Sequence, residues 1–502
     1  MKSFSILAGR AAWARGLMAG TSELAERFDR VRRQAPDRRL IYLPAAGAAW
    51  TADDLWSAHL QLRAALRRNG LGANDLVVSA LANRPAAVPL LLACLSEQVI
   101  LLPADAGTTR PELDDLLSRF QASAAILPRG GDGPAGVLGG VQIVRAPRAP
   151  SGTAPPRGVA MLKLTSGSSG PPKAVLTGES HLIHDAERIS ERMGIAASDT
   201  QIAVIPLSHS YGLGNLVLPL LLQGTAMVLR DAFLPQQVAA DARLAGARVF
   251  PGVPFMFEHF ASNPPAGGWP ISLRLLISAG ARLEGGTIGR FRDRFGQAIH
   301  SFYGSSETGG VAFDDECDDQ AEPGCVGRPL RGVTIALRSQ DGAPPGSGRV
   351  HVSSDAVARG YAGEDAGRGA FAGGGFLTGD FGRLDERGRL VLTGRLSSFI
   401  NVAGRKVRPE EVERALLAMP GVADACVVAV PDPSRGQRIG ACLVARHRIT
   451  LVEIRRFCAA RLAPHKIPRA VLVLERMPTT ARGKIDRLRV EQMVRDSIAE
   501  GC

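Results

Sequence analysis

The amino-acid sequence predicts an α/β fold with a large N-terminal domain and a small α+β domain at the C-terminal end. Short apolar runs alternate with helical stretches between about residues 75 and 305, a pattern typical of a sheet covered by helices. Polar clusters follow several of the predicted strands, at the strand ends where ligands collect in such folds. The chain has 502 residues, too many for one ordinary core, so we expect two or more domains.

The first predicted strands lie before residue 160. Residues 76–81 and 99–103 form two apolar strands around a helix at 85–97, and residues 122–127 form a third strand. The stretch 129–158 is rich in glycine, proline and alanine, which predicts an irregular connection.

The next stretch, residues 165–173, reads Thr-Ser-Gly-Ser-Ser-Gly-Pro-Pro-Lys between two predicted strands at 161–164 and 174–176. Its glycines allow close approach of the backbone, its hydroxyls donate hydrogen bonds, and Lys173 adds a positive charge. No GK[ST] sequence follows the second glycine, so this is not the common phosphate loop. A flexible Ser/Gly linker is the alternative, but the flanking strands favour a hairpin-type loop that binds a polyphosphate.

Apolar runs and helical stretches alternate again after this loop. Strands are predicted at 201–206, 226–229, 247–254, 273–280 and 299–304, and helices at 213–222 and 235–245. Polar clusters at the ends of these strands are Ser208–Tyr211, Ser278–Gly280 and Tyr303–Thr308.

Composition changes near residues 340–375, which are rich in glycine and alanine. Beyond them, predicted strands at 350–353 and 390–393 indicate a small antiparallel, barrel-like part. A compact block follows residue 394, with helices at 409–419 and 451–462 and strands at 425–430, 439–444 and 470–474. We therefore predict an N-terminal domain at 1–393 and a C-terminal domain at 394–502.

Charge and cysteine content narrow the function classes. The net charge of +12 suits anionic partners, but the arginines are scattered without aromatic interleaving, so we expect no nucleic-acid partner. Seven cysteines without CxxC spacing indicate reduced thiols. Arg10 and Arg15 make the N-terminus a poor secretory signal, and no apolar stretch reaches the length of a membrane span. We expect a cytoplasmic protein.

Three further features follow the loop in order. The Tyr303–Thr308 cluster offers a ring that could stack on a purine and a carboxylate, Glu307, that could hold Mg²⁺. Asp380 follows a glycine turn, where its carboxylate could accept both ribose hydroxyls. Lys484 lies in a Gly-containing turn near the C-terminus. Each feature alone is also typical of an ordinary surface turn.

Taken together, these motifs resemble the adenylate-forming superfamily: acyl- and aryl-CoA synthetases, firefly luciferase and the adenylation domains of peptide synthetases. The resemblance spans roughly residues 40–490. The motifs that carry it are Thr165–Lys173, Tyr303–Thr308, Thr378–Asp380, Gly394-Arg395 with Val402–Val407, and Gly483-Lys484.

The resemblance implies that a carboxylate attacks the α-phosphorus of ATP and that a thiol then takes the acyl group from the adenylate. It implies ATP, Mg²⁺ and coenzyme A as cofactors. The catalytic residues would be Lys484, His209 and Glu307, and the metal ligands Glu307 and Ser306. The nucleotide-binding residues would be Thr165, Ser166, Gly167, Ser168, Ser169, Gly170, Lys173, Ser278, Ala279, Gly280, Tyr303, Gly304, Ser305, Ser306, Asp380 and Arg395.

The resemblance also implies that the C-terminal domain swings, so that Lys484 serves the first step and residues 402–407 the second. The hinge would be Ser397, where Asp or Lys is usual in the family. Ala174 stands in place of a usual glycine, and Ser306 replaces a threonine but keeps its hydroxyl.

The acid and the acceptor are less defined by the sequence. No acidic residue follows the strand near 206, unlike in amino-acid-activating relatives, so the resemblance favours a fatty-acyl or aryl acid gated by His209. We expect its pocket walls to include Phe255, Met256, Ser278, Gly280 and Gly304.

Coenzyme A is the first choice of acceptor. Its phosphates could lie near Arg405, Lys406 and Arg408, although a solvated basic patch accounts for these residues equally well. An acyl carrier protein supplied in trans is the alternative. A catalytically silent relative that binds a nucleotide or an acid is an alternative of another class.

Overall fold

The computed structural model describes most of the chain, with gaps at the first residues and in several loops. The described residues are 22–105, 107–129, 140–146, 157–165, 173–317, 322–339, 346–363, 369–395, 400–434, 436–447, 449–478, 485 and 487–500.

The first sheet has six strands, and its middle strands run parallel. Helices Ala87–Ser96 and Arg110–Arg119 flank it. Its strands, from edge to edge, are Val141–Arg145, Ala124–Pro128, Leu76–Ser79, Ile100–Pro103, Met161–Thr165 and Lys173–Thr177.

One expectation was wrong in this sheet. Residues 129–158 were predicted as an irregular connection, yet Val141–Arg145 is an edge strand paired antiparallel with Ala124–Pro128. Val141 is buried and Ile143 packs against the main core, which gives this short strand the two-residue alternation of a half-buried edge. The surrounding glycines and prolines concealed that alternation.

The second sheet has nine strands and a parallel centre. Their order is Arg328–Pro329, Gly309–Phe313, His300–Ser305, Leu275–Ser278, Val249–Gly252, Thr200–Ala203, Ala226–Leu229, Arg39–Leu43 and Ala48–Thr51. The helices of this part are Glu23–Gln34, Ala52–Arg68, Glu179–Met193, Ser210–Gly212, Leu218–Gln223, Pro235–Leu244, Pro254–Ser262 and Gly285–Phe295.

The residues between Gly212 and Leu218 continue that helix as a π-helical turn, Leu213–Val217. Such wide turns are rare and often lie at functional sites. Here the turn places Gly214 and Asn215 beside helix Glu179–Met193, where a Cβ on Gly214 would contact Ile189 at 3.4 Å.

The remaining strands form two smaller sheets. An antiparallel sheet of four strands contains Thr334–Arg338, Gly348–Ser353, Phe376–Leu384 and Leu390–Arg395. A five-stranded sheet contains Arg405–Val407, Ile400–Val402, Gly436–Ala445, Val422–Asp432 and Ala470–Leu474. Helices Pro409–Leu417, Leu451–Ala459 and Arg487–Glu500 pack on the latter.

The five-stranded sheet has its own apolar core, which includes Val407, Val412, Leu443 and Ile454. The boundary at 393/394 remains a prediction. Within the described residues, no helix is both long and apolar enough to cross a membrane.

Candidate active site

A cleft of about 1100 Å³ lies where the two large sheets, the antiparallel sheet and the C-terminal sheet meet. The C-terminal ends of parallel strands supply part of its lining, as in other α/β folds. Gly280, for example, follows strand Leu275–Ser278, and Asp105 follows strand Ile100–Pro103.

The predicted phosphate loop begins and ends at this cleft. Thr165 and Lys173 are register partners on the two strands of an antiparallel hairpin, and both line the cleft. The ammonium of Lys173 lies 5.0 Å from the ring centre of Tyr361. Residues 166–172, which include the predicted nucleotide-binding residues Ser166, Gly167, Ser168, Ser169 and Gly170, lie outside the described residues.

Glu307 is connected to the same tyrosine. The hydroxyl of Tyr361 donates to Oε1 of Glu307 at 2.8 Å. Burial raises the pKa of Tyr361, and the nearby charge of Glu307 raises it further, so the phenol keeps its proton. The Ser306 hydroxyl lies 2.8 Å from the Ser210 hydroxyl. Tyr361 was not predicted from the sequence.

Tyr303 is bonded to Asp380, which lines the cleft, although the two residues are far apart in the chain. The Tyr303 hydroxyl donates to Oδ2 of Asp380 at 2.8 Å. Arg395 is the register partner of Asp380 on the neighbouring strand, but its side chain is not described. We call Lys173, Tyr303, Glu307, Tyr361 and Asp380 the motif cluster.

The remaining predicted nucleotide residues differ in their placement. Ala279 and Gly280 line the cleft, as does Gly304. Ser278 is buried and directly precedes Ala279 in the chain, so its place in a pocket wall stays a prediction. Ser305 lines the cleft, and its hydroxyl also bonds Thr308 at 3.0 Å, which closes a turn.

His209 lies beside Asp105, a residue that sequence reasoning missed. Its Nε2 is 3.6 Å from Oδ2 of Asp105, and Nη1 of Arg405 is 3.5 Å from Oδ1. Burial alone would raise the pKa of Asp105, but His209 and Arg405 outweigh it and hold that pKa below its usual range. The position of Asp105 beyond a parallel strand was the signal that could have identified it.

The C-terminal sheet contributes the segment Val402–Arg408 to the cleft. Lys466 fixes this placement, because its ammonium lies 2.9 Å from Oε1 of Glu112 and 2.8 Å from Oε1 of Glu411. The first of these pairs joins the two halves of the chain. Lys484 lies outside the described residues.

A second part of the cleft is formed by glycines and helix Glu179–Met193. We call it the glycine pocket; it comprises Asp185, Ile189, Asn215, Phe302, Gly304 and Gly309. A Cβ on Gly304 would lie 2.6 Å from the Gly309 carbonyl oxygen, and one on Gly309 would lie 2.4 Å from Asp185. Only glycine fits at these two positions.

The glycine pocket also contains polar groups. The Gly310 N–H donates to Oδ1 of Asp185 at 2.7 Å. Burial raises the pKa of Asp185, although Lys163 opposes that shift. Lys163 is itself buried, which lowers the pKa of its ammonium.

The motif cluster contains two carboxylates. Asp380 is bonded to Tyr303, which leaves Glu307 as the candidate ligand for a magnesium ion. The described residues contain no group of three or more His, Cys, Asp or Glu side chains that could hold a metal by themselves. Glu307 and the Ser306 hydroxyl, both at the cleft, suit Mg²⁺ that is bound mainly by substrate phosphates.

Comparison with known proteins agrees with this geometry. The profile of the AMP-binding enzyme family matches residues 28–362, and that of the AMP-binding enzyme C-terminal domain matches residues 411–484. The chain belongs to the AMP-binding enzymes. This confirms the resemblance to the adenylate-forming superfamily and the predicted α/β fold class.

Several relatives of this AMP-binding enzyme have known names or structures. A feruloyl-CoA synthase of Amycolatopsis is 30% identical over 474 residues, which cover 91% of this chain and 96% of that protein. The fold resembles an o-succinylbenzoate CoA synthetase of Bacillus subtilis (TM-score 0.81, 23% identity, covering 93% of this chain and 98% of that chain). It also resembles an amide bond synthetase of Marinactinospora thermotolerans (TM-score 0.77, 25% identity, covering 95% and 99%).

Proposed function

We propose that this AMP-binding enzyme is an ATP-dependent acid–coenzyme A ligase that works through an acyl-adenylate. A carboxylate oxygen attacks the α-phosphorus of ATP, and the bond from that phosphorus to pyrophosphate breaks. The coenzyme A thiol then attacks the acyl carbon, the bond to AMP breaks, and the thiol proton is released. A thioester, AMP and pyrophosphate are the products.

The observation that carries this proposal is the motif cluster. Lys173, Glu307 and Asp380 come from three distant parts of the chain and all line a single cleft. Tyr361 contacts both Lys173 and Glu307, and Tyr303 bonds Asp380. A carboxylate and a triphosphate repel each other, so the reaction needs cations and oriented hydrogen-bond partners to align them. The cluster offers both.

Within this proposal, Thr165 and Lys173 bind the β- and γ-phosphates together with Ser166, Gly167, Ser168, Ser169 and Gly170. Tyr303, Ala279 and Gly280 contact adenine, and Asp380 with Arg395 holds the ribose. Glu307 and Ser306 hold Mg²⁺, which would neutralise phosphate charge. Lys484 orients the carboxylate against the α-phosphate.

We infer that the acid lies in the glycine pocket, with its carboxylate toward His209. The predicted walls are Gly304 of the glycine pocket and, outside that pocket, Phe255, Met256 and Gly280, all of which line the same cleft. An aryl acid is favoured because the chain shares 30% identity with a feruloyl-CoA synthase over nearly its whole length.

Coenzyme A is the proposed acceptor. Arg405, Lys406 and Arg408 line the cleft on the C-terminal side, where phosphates of coenzyme A would be attracted. An acyl carrier protein in trans is the alternative acceptor. With the chain divided at 393/394, the C-terminal domain would bring Lys484 for adenylation and Val402–Val407 for thioester formation.

A cytoplasmic location is proposed from the cysteines. Cys94, Cys325, Cys426, Cys442 and Cys458 are buried free thiols. Such thiols persist in a reducing compartment, where ATP and coenzyme A are also available.

ATP–pyrophosphate exchange with a panel of aryl, fatty and short-chain acids tests the function. We expect Mg²⁺-dependent exchange with aryl acids, which chelation with EDTA abolishes. No exchange with any acid would support the silent relative instead. Coenzyme A and a phosphopantetheinylated carrier protein, supplied separately, would then distinguish the acceptors, because only the true acceptor yields a thioester.

A further inference from the structure

A short stretch beyond strand Ile100–Pro103 receives the C-terminal sheet. We call residues 105 and 107–112 the docking segment. At its far end, Oε1 of Glu112 accepts hydrogen bonds from the Lys466 ammonium at 2.9 Å and from the Ala463 N–H at 3.3 Å. The docking segment therefore carries direct contacts between the two halves of the chain.

Asp105 begins the docking segment, and its two carboxylate oxygens face different neighbours. Oδ1 accepts the Gly107 N–H at 3.0 Å and lies 3.5 Å from Nη1 of Arg405. Oδ2 lies 3.6 Å from Nε2 of His209. Arg405 belongs to the C-terminal sheet, whereas His209 precedes a helix of the N-terminal part. One carboxylate thus joins a docking contact to the residue proposed to face the acid.

Arg405 reaches this carboxylate as part of a packed contact. Its Nη1 also lies 3.2 Å from Nδ1 of His465, another residue of the C-terminal part. A Cβ added to Gly107 would lie 3.5 Å from Nη1 of Arg405 and 3.6 Å from Cδ of Pro464. Because Arg405, Pro464 and His465 all come from the C-terminal side, the guanidinium lies beside Asp105 only while that side is docked.

His209 has a fixed backbone but a side chain that depends on Asp105. Its N–H donates to the Pro206 carbonyl at 3.1 Å, and its carbonyl accepts from the Leu213 N–H at 2.8 Å. Within the described part of the chain, no group lies within hydrogen-bond distance of Nε2, and the Asp105 carboxylate is its charged neighbour. The direction of the imidazole ring therefore follows the position of that carboxylate.

The charge of Asp105 is maintained by the same neighbours. Burial alone would raise the pKa of its carboxyl group, but His209 and Arg405 outweigh burial and hold that pKa below its usual range. If Arg405 left with the C-terminal sheet, Oδ1 would keep only the hydrogen bond from Gly107. The carboxylate would then be less restricted, and so would the ring beside Oδ2.

We propose that Asp105 is a positioning residue for thioester formation: Arg405 of the docked C-terminal sheet fixes the Asp105 carboxylate, which in turn orients His209. Asp105 acts through these two residues and not on the reacting atoms. This role rests on the proposed acid–coenzyme A ligase function. It goes further because it connects the docked position of the C-terminal sheet to one side chain at the acid.

Two rates measured on the same variant test this role. Thioester formation is followed from preformed acyl-adenylate with coenzyme A, and ATP–pyrophosphate exchange is measured in parallel. Asp105→Asn keeps an acceptor for the Gly107 N–H but removes the charge. We expect it to lower kcat of thioester formation by about 30-fold, with KM for coenzyme A nearly unchanged, and to change exchange by less than about threefold. The ratio of the two rates is insensitive to a reduced folded fraction.

Paired variants test whether Asp105 acts through its neighbours. At saturating coenzyme A, Arg405→Gln alone should slow thioester formation by about 10-fold, but by less than about threefold when it is added to Asp105→Asn, because groups that act as one unit give non-additive losses. His209→Gln should be non-additive with Asp105→Asn in the same way. Losses that multiply in both pairs would overturn the proposed coupling.

Asp114→Asn is the matched control, because Asp114 is an exposed aspartate on the helix of the docking segment, paired with Arg110. Both of its rates should equal those of the wild-type protein. An unchanged thioester rate in Asp105→Asn, or an equal loss of both rates, would overturn the positioning role while leaving the proposed function intact. No exchange with any acid in the wild-type protein would overturn the proposed function itself.

Discussion

The motif cluster and the glycine pocket belong to one cleft, yet they are built differently. In the motif cluster, the polar side chains bond one another: Tyr361 pairs with Glu307, and Tyr303 pairs with Asp380. In the glycine pocket, none of the described residues bonds Oδ1 of Asn215. The cluster is therefore organised by bonds between its own side chains, whereas this oxygen of the pocket is not.

The difference follows from what each part is proposed to bind. ATP is the same in every acid-activating reaction, so side chains that hold it can be fixed by internal bonds. The acid varies between enzymes, and selectivity arises from polar groups that remain unpaired with the wrong acid. Substitutions in the cluster should thus affect all acids alike, and substitutions in the pocket should not.

The largest expected effect concerns Lys484. Lys484→Ala should lower ATP–pyrophosphate exchange by about 1000-fold with every acid, because a cation at the reacting carboxylate and α-phosphate is lost. Thioester formation from chemically prepared acyl-adenylate should change less than about fivefold. Exchange at the wild-type rate in this variant would contradict the proposed role.

The second-largest effect is expected at Glu307, and it tests whether the motif cluster and the glycine pocket act separately. Glu307→Gln should lower exchange by about 100-fold, by the same factor for aryl and fatty acids, since it acts on the phosphate side. The measurement is kcat/KM for one acid of each class that the wild-type protein activates. A loss that depends on the acid would mean that the two parts of the cleft are not separable. Glu284→Gln, at an exposed glutamate, is the matched control.

The sequence predicted more residues of the motif cluster than of the glycine pocket. Thr165, Lys173, Glu307 and Asp380 were predicted because ordered motifs mark them, and all four line the cleft. Tyr361 and Asp105 were missed because their roles depend on contacts with residues more than 50 positions away. Asp185 was missed for another reason: it lies on a helix, where an acidic residue ordinarily faces solvent, and only packing against Gly309 buries it.

The fold was also predicted unevenly: central strands were predicted better than edge strands. Central parallel strands such as Leu275–Ser278 are continuous apolar runs, and the sequence predicted them well. Edge strands such as Val141–Arg145 have one exposed face and lie among glycines, so their alternation was weak. The position of the C-terminal sheet could not be predicted, because it depends on contacts between the two halves of the chain, such as the ion pair of Lys466 with Glu112.

The ion pair between Lys466 and Glu112 lies outside both the motif cluster and the glycine pocket, and breaking it should have an effect of intermediate size. Glu112→Gln should slow thioester formation from acyl-adenylate by about 10-fold, because the bond that holds the C-terminal sheet against the N-terminal part weakens. The glutamine still accepts at the helix N-terminus, so the helix cap is kept. Adenylation should not fall. A selective loss of exchange, measured in parallel, would contradict this assignment.

The smallest effect depends on pH. Burial, together with Arg405 and Lys466, lowers the pKa of His465 to about 4, against the pull of Asp105. A docked His465 with a lowered pKa binds fewer protons than an undocked one, so docking is favoured above about pH 6.5 and weakens as pH falls toward 4.

Thioester formation should therefore fall about fourfold from pH 8 to pH 6 beyond the change caused by thiol ionisation. His465→Gln removes the titrating group and isolates the thiol contribution. Identical pH profiles for wild type and variant would show that His465 does not control docking.

The central claim, that the acid's oxygen attacks the α-phosphorus of ATP, is tested most directly by an isotope. The wild-type protein is incubated with ATP, Mg²⁺, coenzyme A and an aryl acid whose carboxylate carries ¹⁸O, and the products are analysed by mass spectrometry. We predict one ¹⁸O atom in each AMP formed and none in pyrophosphate. Label in inorganic phosphate, with ADP as the nucleotide product, would contradict the account.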